Sequence, residues 1–206
     1  ARRLLLLASS RLTTDEAGGT DTFTVVLDTE PASSVTIGLS SSDTGEGTVS
    51  PASVVFETTD WSVEQTVTVS GIDDQMDDGD IGYTIETAPA TSADANYSGV
   101  DADDVEATNT DDDTANVTVA PTSGLTTTEA GGTDTFSVAL DTKPTASVTI
   151  NLASSDTGEG TVSPAAVTFT VANWSVVQTV TVTGADDFVV DGPVAYTIQT
   201  APASST

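Results

Sequence analysis

Cysteine and histidine are both missing from this chain of 206 residues. Without them, the thiolate and imidazole ligands that zinc, haem iron and iron–sulfur clusters use are gone. Disulfides are gone too, so the fold must be held by a packed core or by bound ions. Cationic side chains are almost as scarce: Arg2, Arg3, Arg11 and Lys143 stand against 32 acidic residues, a formal charge of −28. Nucleic acid and anionic membranes need a basic face, which excludes both as partners. Aromatic residues make up only 5% of the chain, and no apolar run is long enough to span a bilayer. Leu4–Leu7 follows two arginines but is too short for a signal peptide; it reads as a strand, with a processing remnant as the alternative. Catalysis has little to work with: no triad can be assembled, and Lys143 has no Ser-x-x-Lys context. A carboxylate pair could hydrolyse glycosides, but nothing in the chain signals a substrate cleft, so it is read as non-enzymatic.

What is present is a strand-and-turn vocabulary. Val and Thr favour pleated sheet, while Asp, Gly and Ser favour turns. Glu16-Ala17-Gly18-Gly19-Thr20-Asp21-Thr22-Phe23 recurs as Glu129-Ala130-Gly131-Gly132-Thr133-Asp134-Thr135-Phe136. The offset, 129 − 16 = 113, holds without a gap from Leu12/Leu125 to Ala93/Thr206. Roughly two-thirds of the aligned positions are identical, which marks tandem domains. Repeat one is expected over 1–113 and repeat two over 114–206. Nothing in the second copy corresponds to Asn96 through Asp113.

Within a copy, apolar residues alternate with period two. Phe23, Val25 and Leu27 share one face; Val35, Ile37 and Leu39 repeat the pattern, as do Val54 with Phe56, Val67 with Val69, Ile81 with Tyr83 and Ile85, and Val105 with Ala107. With Leu4–Leu7, matched by Val117 and Val119, that gives seven short strands per full copy. The expectation is all-β: two tandem immunoglobulin-like antiparallel β-sandwich domains, the second lacking its last strand.

Successive strands of an antiparallel sandwich run alternately up and down, so strand exits sort by parity. Parity gathers Glu16, Asp43, Asp73, Asp74, Asp78 and the run Asp111, Asp112, Asp113 at one tip. Carboxylates crowded there repel unless something neutralises them. Hard oxygen ligands in loops suit Ca²⁺, which takes six to eight oxygens; a merely solvated acidic tip is the alternative. The two copies provide an internal test. Away from this tip, Glu30, Glu57 and Asp60 become Lys143, Thr170 and Asn173. At the tip, Glu16, Asp21, Asp43, Glu46, Asp73, Asp74 and Asp78 recur as Glu129, Asp134, Asp156, Glu159, Asp186, Asp187 and Asp191. Asp77 and Asp80 break the pattern, becoming Val190 and Pro193, but the sorting favours an ion site.

The order of these pieces resembles the Calx-β domain, a calcium-binding immunoglobulin-like module of sodium–calcium exchangers and of large exported bacterial proteins. The pieces are Glu16-Ala17-Gly18-Gly19 before the strand Phe23 to Leu27, the acidic turn at Asp43, Asp73-Asp74 after a Thr-Val alternation, and the closing Asp111-Asp112-Asp113. The resemblance implies that Glu16, Asp43, Asp73, Asp74, Asp78 and the closing run are calcium ligands. The corresponding acids Glu129, Asp156, Asp186, Asp187 and Asp191 would serve in the second copy. The long Gly47 to Trp61 segment departs from exchangers and is typical of bacterial repeat arrays.

Two further features invite a site. Asp94-Ala95-Asn96-Tyr97-Ser98-Gly99 fits the first half of a calcium loop, although Val105 occupies its twelfth position; an Asx-stabilised turn with Tyr97 in the core is the alternative. Trp61 and Trp174 could stack on sugar rings or anchor the rim of the sandwich. The resulting expectation is an extracellular or cell-surface structural repeat, a stalk, adhesin or fibre segment. Its calcium would stiffen the junctions, and its partners would be neighbouring repeats or copies of the same chain joined by strand complementation. The alternative is an accessory module that binds surface glycans.

Overall fold

The computed structural model describes residues 4–7, 11–186, 189–190 and 192–205, and no helix occurs among them. The chain forms two compact units. The first comprises Ala1–Asp74 and Asp78–Asp112; the second comprises Gln75–Asp77 and Asp113–Thr206.

The first unit contains β1 (Leu4–Leu7), β2 (Leu12–Asp15), β3 (Thr20–Leu27), β4 (Val35–Ser41), β5 (Gly47–Ser50), β6 (Ser53–Phe56), β7 (Gln65–Gly71), β8 (Ile81–Thr87), β9 (Thr91–Ser92) and β10 (Val105–Thr110). One sheet has the order β1-β3-β7-β5; the other runs β2-β10-β8-β4-β6, with β9 also pairing β4. The inward residues are those the alternation picks out. Phe23, Val25, Leu27, Val35, Ile37, Val67, Val69, Ile85 and Ala107 are all buried in one core. Period-two patterning sends these side chains to a common face while their neighbours face water.

The seven strands expected from periodicity all form, and β2, β5 and β9 join them. β2 escapes a hydrophobic reading because only Leu12 is apolar; its other inward residue, Thr14, is buried and satisfied by hydrogen bonds. β5 and β6 are nearly continuous, yet β5 pairs with β7 and β6 with β4. Pro51, which has no N–H to give a ladder, marks the crossing from one sheet to the other.

The second unit contains β11 (Val117–Ala120), β12 (Thr133–Leu140), β13 (Val148–Ser154), β14 (Gly160–Ser163), β15 (Ala166–Phe169), β16 (Gln178–Gly184), β17 (Ile198–Thr200) and β18 (Ser204–Ser205). Its first sheet, β11-β12-β16-β14, copies the first sheet of repeat one. Its second sheet is reduced to β15-β13-β17, with β18 on β13.

The difference centres on the position of β10. In repeat one, β10 lies between β2 and β8, parallel to the first from Ala107↔Leu12 to Thr110↔Asp15 and antiparallel to the second from Val105↔Ile85 to Asn109↔Ile81. Repeat two has no counterpart of β10 among the described residues. Residues 125–128 then form no named strand, apart from an isolated bridge from Thr128 to Gly132. β17 begins at Ile198, whereas β8 begins at the counterpart of Val194.

Candidate metal centre

Four loops converge at one end of the first unit, and backbone hydrogen bonds hold them together. Glu16 N–H donates to the Thr110 carbonyl (3.2 Å), Gly71 N–H to Gly19 (3.0 Å) and Ile72 N–H to Glu46 (3.0 Å). The end of β2, the end of β10, the end of β7 and the approach to β5 are therefore one assembly. Asn109, buried at the end of β10, stitches it from inside: its Oδ1 accepts from Thr14 Oγ1 (2.9 Å) and its Nδ2 donates to the Ile72 carbonyl (3.0 Å). Its amide also acts on the Glu46 carboxyl, holding its pKa down.

Two groups of three carboxylates sit on this frame. Glu16, Asp111 and Asp113 form one; Glu46, Asp74 and Asp78 form the other. In each, one oxygen per residue lies within 4.8 Å of the others. Glu16 and Glu46 are buried members, Asp74, Asp111 and Asp113 half-buried, and Asp78 exposed. The groups are linked through the 78–80 turn: Gly79 N–H donates to Asp111 Oδ2 (2.6 Å), and Asp111 N–H donates to Asp80 Oδ1 (3.2 Å).

Burial pushes the Glu46 carboxyl above the ordinary range; the hydrogen bond from Asn109 pulls it back, and the charges of Asp78, Asp43 and Asp74 raise it further. Burial likewise raises the Tyr83 phenol, against the hydrogen bond with Thr14 and with help from the Glu46 charge. Both shifts mark a place where negative charge is disfavoured until something positive arrives. The donor set is entirely oxygen, so these acidic clusters can hold a hard metal ion.

Of the acids expected in repeat one, the structure brings Glu16 together with Asp111 and Asp113, and Asp74 together with Asp78. Asp43, Asp73 and Asp112 stay outside both groups. Asp43 is exposed and spends Oδ1 on the Gly45 N–H (2.9 Å), an Asx turn, while its charge still reaches Glu46. Asp73 is exposed. Asp112 is exposed, and its backbone N–H points to Glu16 Oε2 (3.4 Å). Glu46 is a ligand candidate that the family resemblance left out, although parity places it at the tip. It stood in view at the tip, in Asp43-Thr44-Gly45-Glu46-Gly47, repeated unchanged at 156–160. No period could reveal that its side chain would be buried.

In repeat two, Glu129, Asp156 and Asp186 are exposed, and Asp187 and Asp191 lie outside the described residues. No three-acid group forms among the described residues of this unit. In repeat one the Glu16 backbone is anchored on Thr110, and Asp111 and Asp113 follow directly from β10; repeat two has neither among its described residues. Asp21 and Asp134 are structural acids. Asp134 accepts from the Thr126 and Thr135 N–H groups, which hold its carboxyl below the usual range; Asp21 accepts from the Thr13 and Thr22 N–H groups.

The Asp94 loop is an Asx turn. Its carboxylate accepts from Asn96 N–H (2.9 Å), Asn96 Nδ2 (2.8 Å) and Ala32 N–H (2.8 Å), while Tyr97 is buried with its hydroxyl on Thr29. Trp61 packs against the core of the first unit, and Trp174 is half-buried.

The chain is thus an all-β protein of two immunoglobulin-like units, the first carrying the triad Glu46, Asp74 and Asp78 together with Glu16 and Asp111. It matches no family model and no curated protein. Solved structures to which it is similar include CBD12 from CALX1.2, at 13% identity over 95% of this chain and 79% of that one, with a TM-score of 0.40. The calcium binding domain CBD12 of CALX1.1 is 16% identical over 99% of this chain and 82% of that one, TM-score 0.39. The E. coli chaperone DraB is 11% identical over 100% and 98%, TM-score 0.39. These are loose likenesses.

Proposed function

We propose that the chain is a non-enzymatic calcium-binding repeat of an exported, cell-surface protein, a stalk, adhesin or fibre segment. The observation that carries this reading is the pair of acid triads, each containing a buried glutamate, on loops already tied together by backbone hydrogen bonds. Burying a carboxylate beside two others is costly without a cation. Calcium accepts mono- and bidentate carboxylates in irregular geometry, whereas Mg²⁺ demands a near-octahedral cage and keeps several waters. Extracellular modules bind calcium at about 10⁻⁴–10⁻³ M, matched to an ion-rich exterior. The closing run Asp111–Asp113 leads directly into repeat two along the chain, so calcium held there would shorten the free linker and stiffen a string of repeats.

Titration calorimetry on the apo chain tests the ion. The expected result is two calcium ions, with Glu16→Gln and Glu46→Gln each removing one. No heat and no change in melting temperature with millimolar calcium would sink the reading. Small-angle scattering tests the mechanical half, because chelator should change the profile of the two-repeat particle.

A further inference from the structure

The second unit includes three residues from the segment between β7 and β8, Gln75–Asp77. Two backbone amides of that unit hold them. Lys143 N–H donates to the Gln75 carbonyl (2.8 Å), and Ala115 N–H donates to Asp77 Oδ2 (2.7 Å). Gln75 is the one non-glycine residue with a positive φ (66°) among the described residues. A side chain rarely takes that conformation unless its surroundings hold it there.

The end of the fold that holds this segment differs between the copies. Val117 pairs Leu140, Val138 pairs Gln178 and Val148 pairs Phe169, so Ala115, the 141–147 loop and the 170–177 loop lie at the same end of the unit. In repeat one the matching loops carry Asp28, Glu30, Glu57, Asp60 and Glu64. In repeat two only Asp141 remains of these, with Lys143, Thr170, Asn173 and Val177 at the other positions. With Arg2 and Arg3 counted at the positions of Ala115 and Asn116, the repeat-one end is still the more acidic. Asp141 is itself committed, accepting from Asn116 Nδ2 (3.0 Å) and Thr118 Oγ1 (2.8 Å). An acidic turn at this end therefore meets amide donors and a lysine where the other copy would set four more carboxylates against it.

We propose that this end of the second unit is a docking surface for an acidic turn, and that its occupant is the Gln75–Asp77 segment. Recognition has three parts: a carbonyl presented to Lys143 N–H by a residue at positive φ, a carboxylate two residues on for Ala115 N–H, and loops cleared of acid around both. The hydrogen bonds hold the segment, and charge decides which end can accept it. The matching runs one way. By the 113-residue offset Gln75, Met76 and Asp77 correspond to Phe188, Val189 and Val190. That sequence offers no carboxylate at its third position, and the acid of the repeat-one end would repel a copy of Gln75–Asp77. The docking also gives Asp77 a role: the acid that fails to recur is spent on Ala115 and belongs to neither triad. None of this rests on the calcium reading.

Residue-resolved hydrogen exchange on the whole chain tests the proposal, in chelator so that the outcome is independent of a bound ion. The Ala115 and Lys143 amides should be protected, with the β12–β16 ladder as the internal control for folding. Asp77→Ala should speed exchange at Ala115 roughly tenfold, the loss of one hydrogen bond to a charged acceptor. Asn173→Asp combined with Val177→Glu restores what repeat one carries at those positions. The fold accepts the aspartate there, since Asp60 caps the Glu57 N–H as Asn173 caps that of Thr170. This double variant should deprotect Ala115 and Lys143 together, less so in high salt, while the ladder amides stay protected. Gln75→Val should free the Lys143 amide and Gln75→Gly should not, because only glycine takes positive φ without strain. Unprotected Ala115 and Lys143 amides in the parent chain would overturn the assignment. So would protection that the double variant leaves unchanged at low salt.

Discussion

Replacing Asn109 by alanine tests the central physical claim about the metal centre, that one buried amide holds its loops in place. The amide bonds Thr14 on β2 and the Ile72 carbonyl after β7, and it favours the charged form of Glu46 at the approach to β5. Alanine leaves the Ile72 carbonyl short of a donor and removes the polar group that favours the Glu46 charge; Thr14 keeps Tyr83 and the Thr108 carbonyl as partners. Each buried group left unsatisfied costs about 1–3 kcal/mol, so two of them, one charged, should cost about 3 kcal/mol. For a domain of this size that corresponds to a loss of roughly 10–20 °C in melting temperature. Urea unfolding followed by Trp61 fluorescence in a Trp174→Phe background isolates the first unit, since Trp61 packs on its core. The midpoint should fall at constant m. Calcium affinity should fall as well, because both triads hang from loops that Asn109 ties. A stability loss below about 0.5 kcal/mol would refute the account, since that is the range of an ordinary surface substitution.

Other outcomes rest on the same geometry. Calcium at a hundredfold its dissociation constant should stabilise the first unit by about 2.7 kcal/mol per site, read as a melting shift reversed by chelator. In chelator, the Glu46 carboxyl is raised in the folded state. Folding therefore takes up a proton between the ordinary carboxylate pKa and the raised one, and stability falls as pH rises through that window. Glu46→Gln should flatten that fall in urea midpoints measured across pH, and a slope of opposite sign would contradict the burial argument. Gly47→Ala should destabilise the first unit by about 1–3 kcal/mol, because the added Cβ meets the Tyr83 ring. Gly160→Ala meets Tyr196 in the same way, yet Tyr196 is only half-buried and can give way, so its cost should be smaller.

The sequence by itself determined seven strands of the first repeat, the duplication and the gathering of acid at one end. Alternation of Phe23, Val25 and Leu27, or of Val35, Ile37 and Leu39, needs no tertiary knowledge, because side chains of a strand must alternate faces. Antiparallel parity likewise sent Glu16 and the Asp111 run to the same end as Asp74 and Asp78. β2 and β5 were not legible, since their inward positions are threonine and glycine, whose places are set by partners distant in sequence. Tertiary structure alone decided which acids meet. Asp43 and Asp73 look as suitable as Asp74 in the sequence, but Asp43 is held in an Asx turn and both are exposed, while Glu46 is buried. Asn109, between two threonines, carries no period or motif; its role exists only because β2, β7 and β10 end together. The second repeat shows the same division. Its residues 125–128 are close to identical to β2, yet they form no ladder, because a strand is fixed by its partner and that partner is not among these residues.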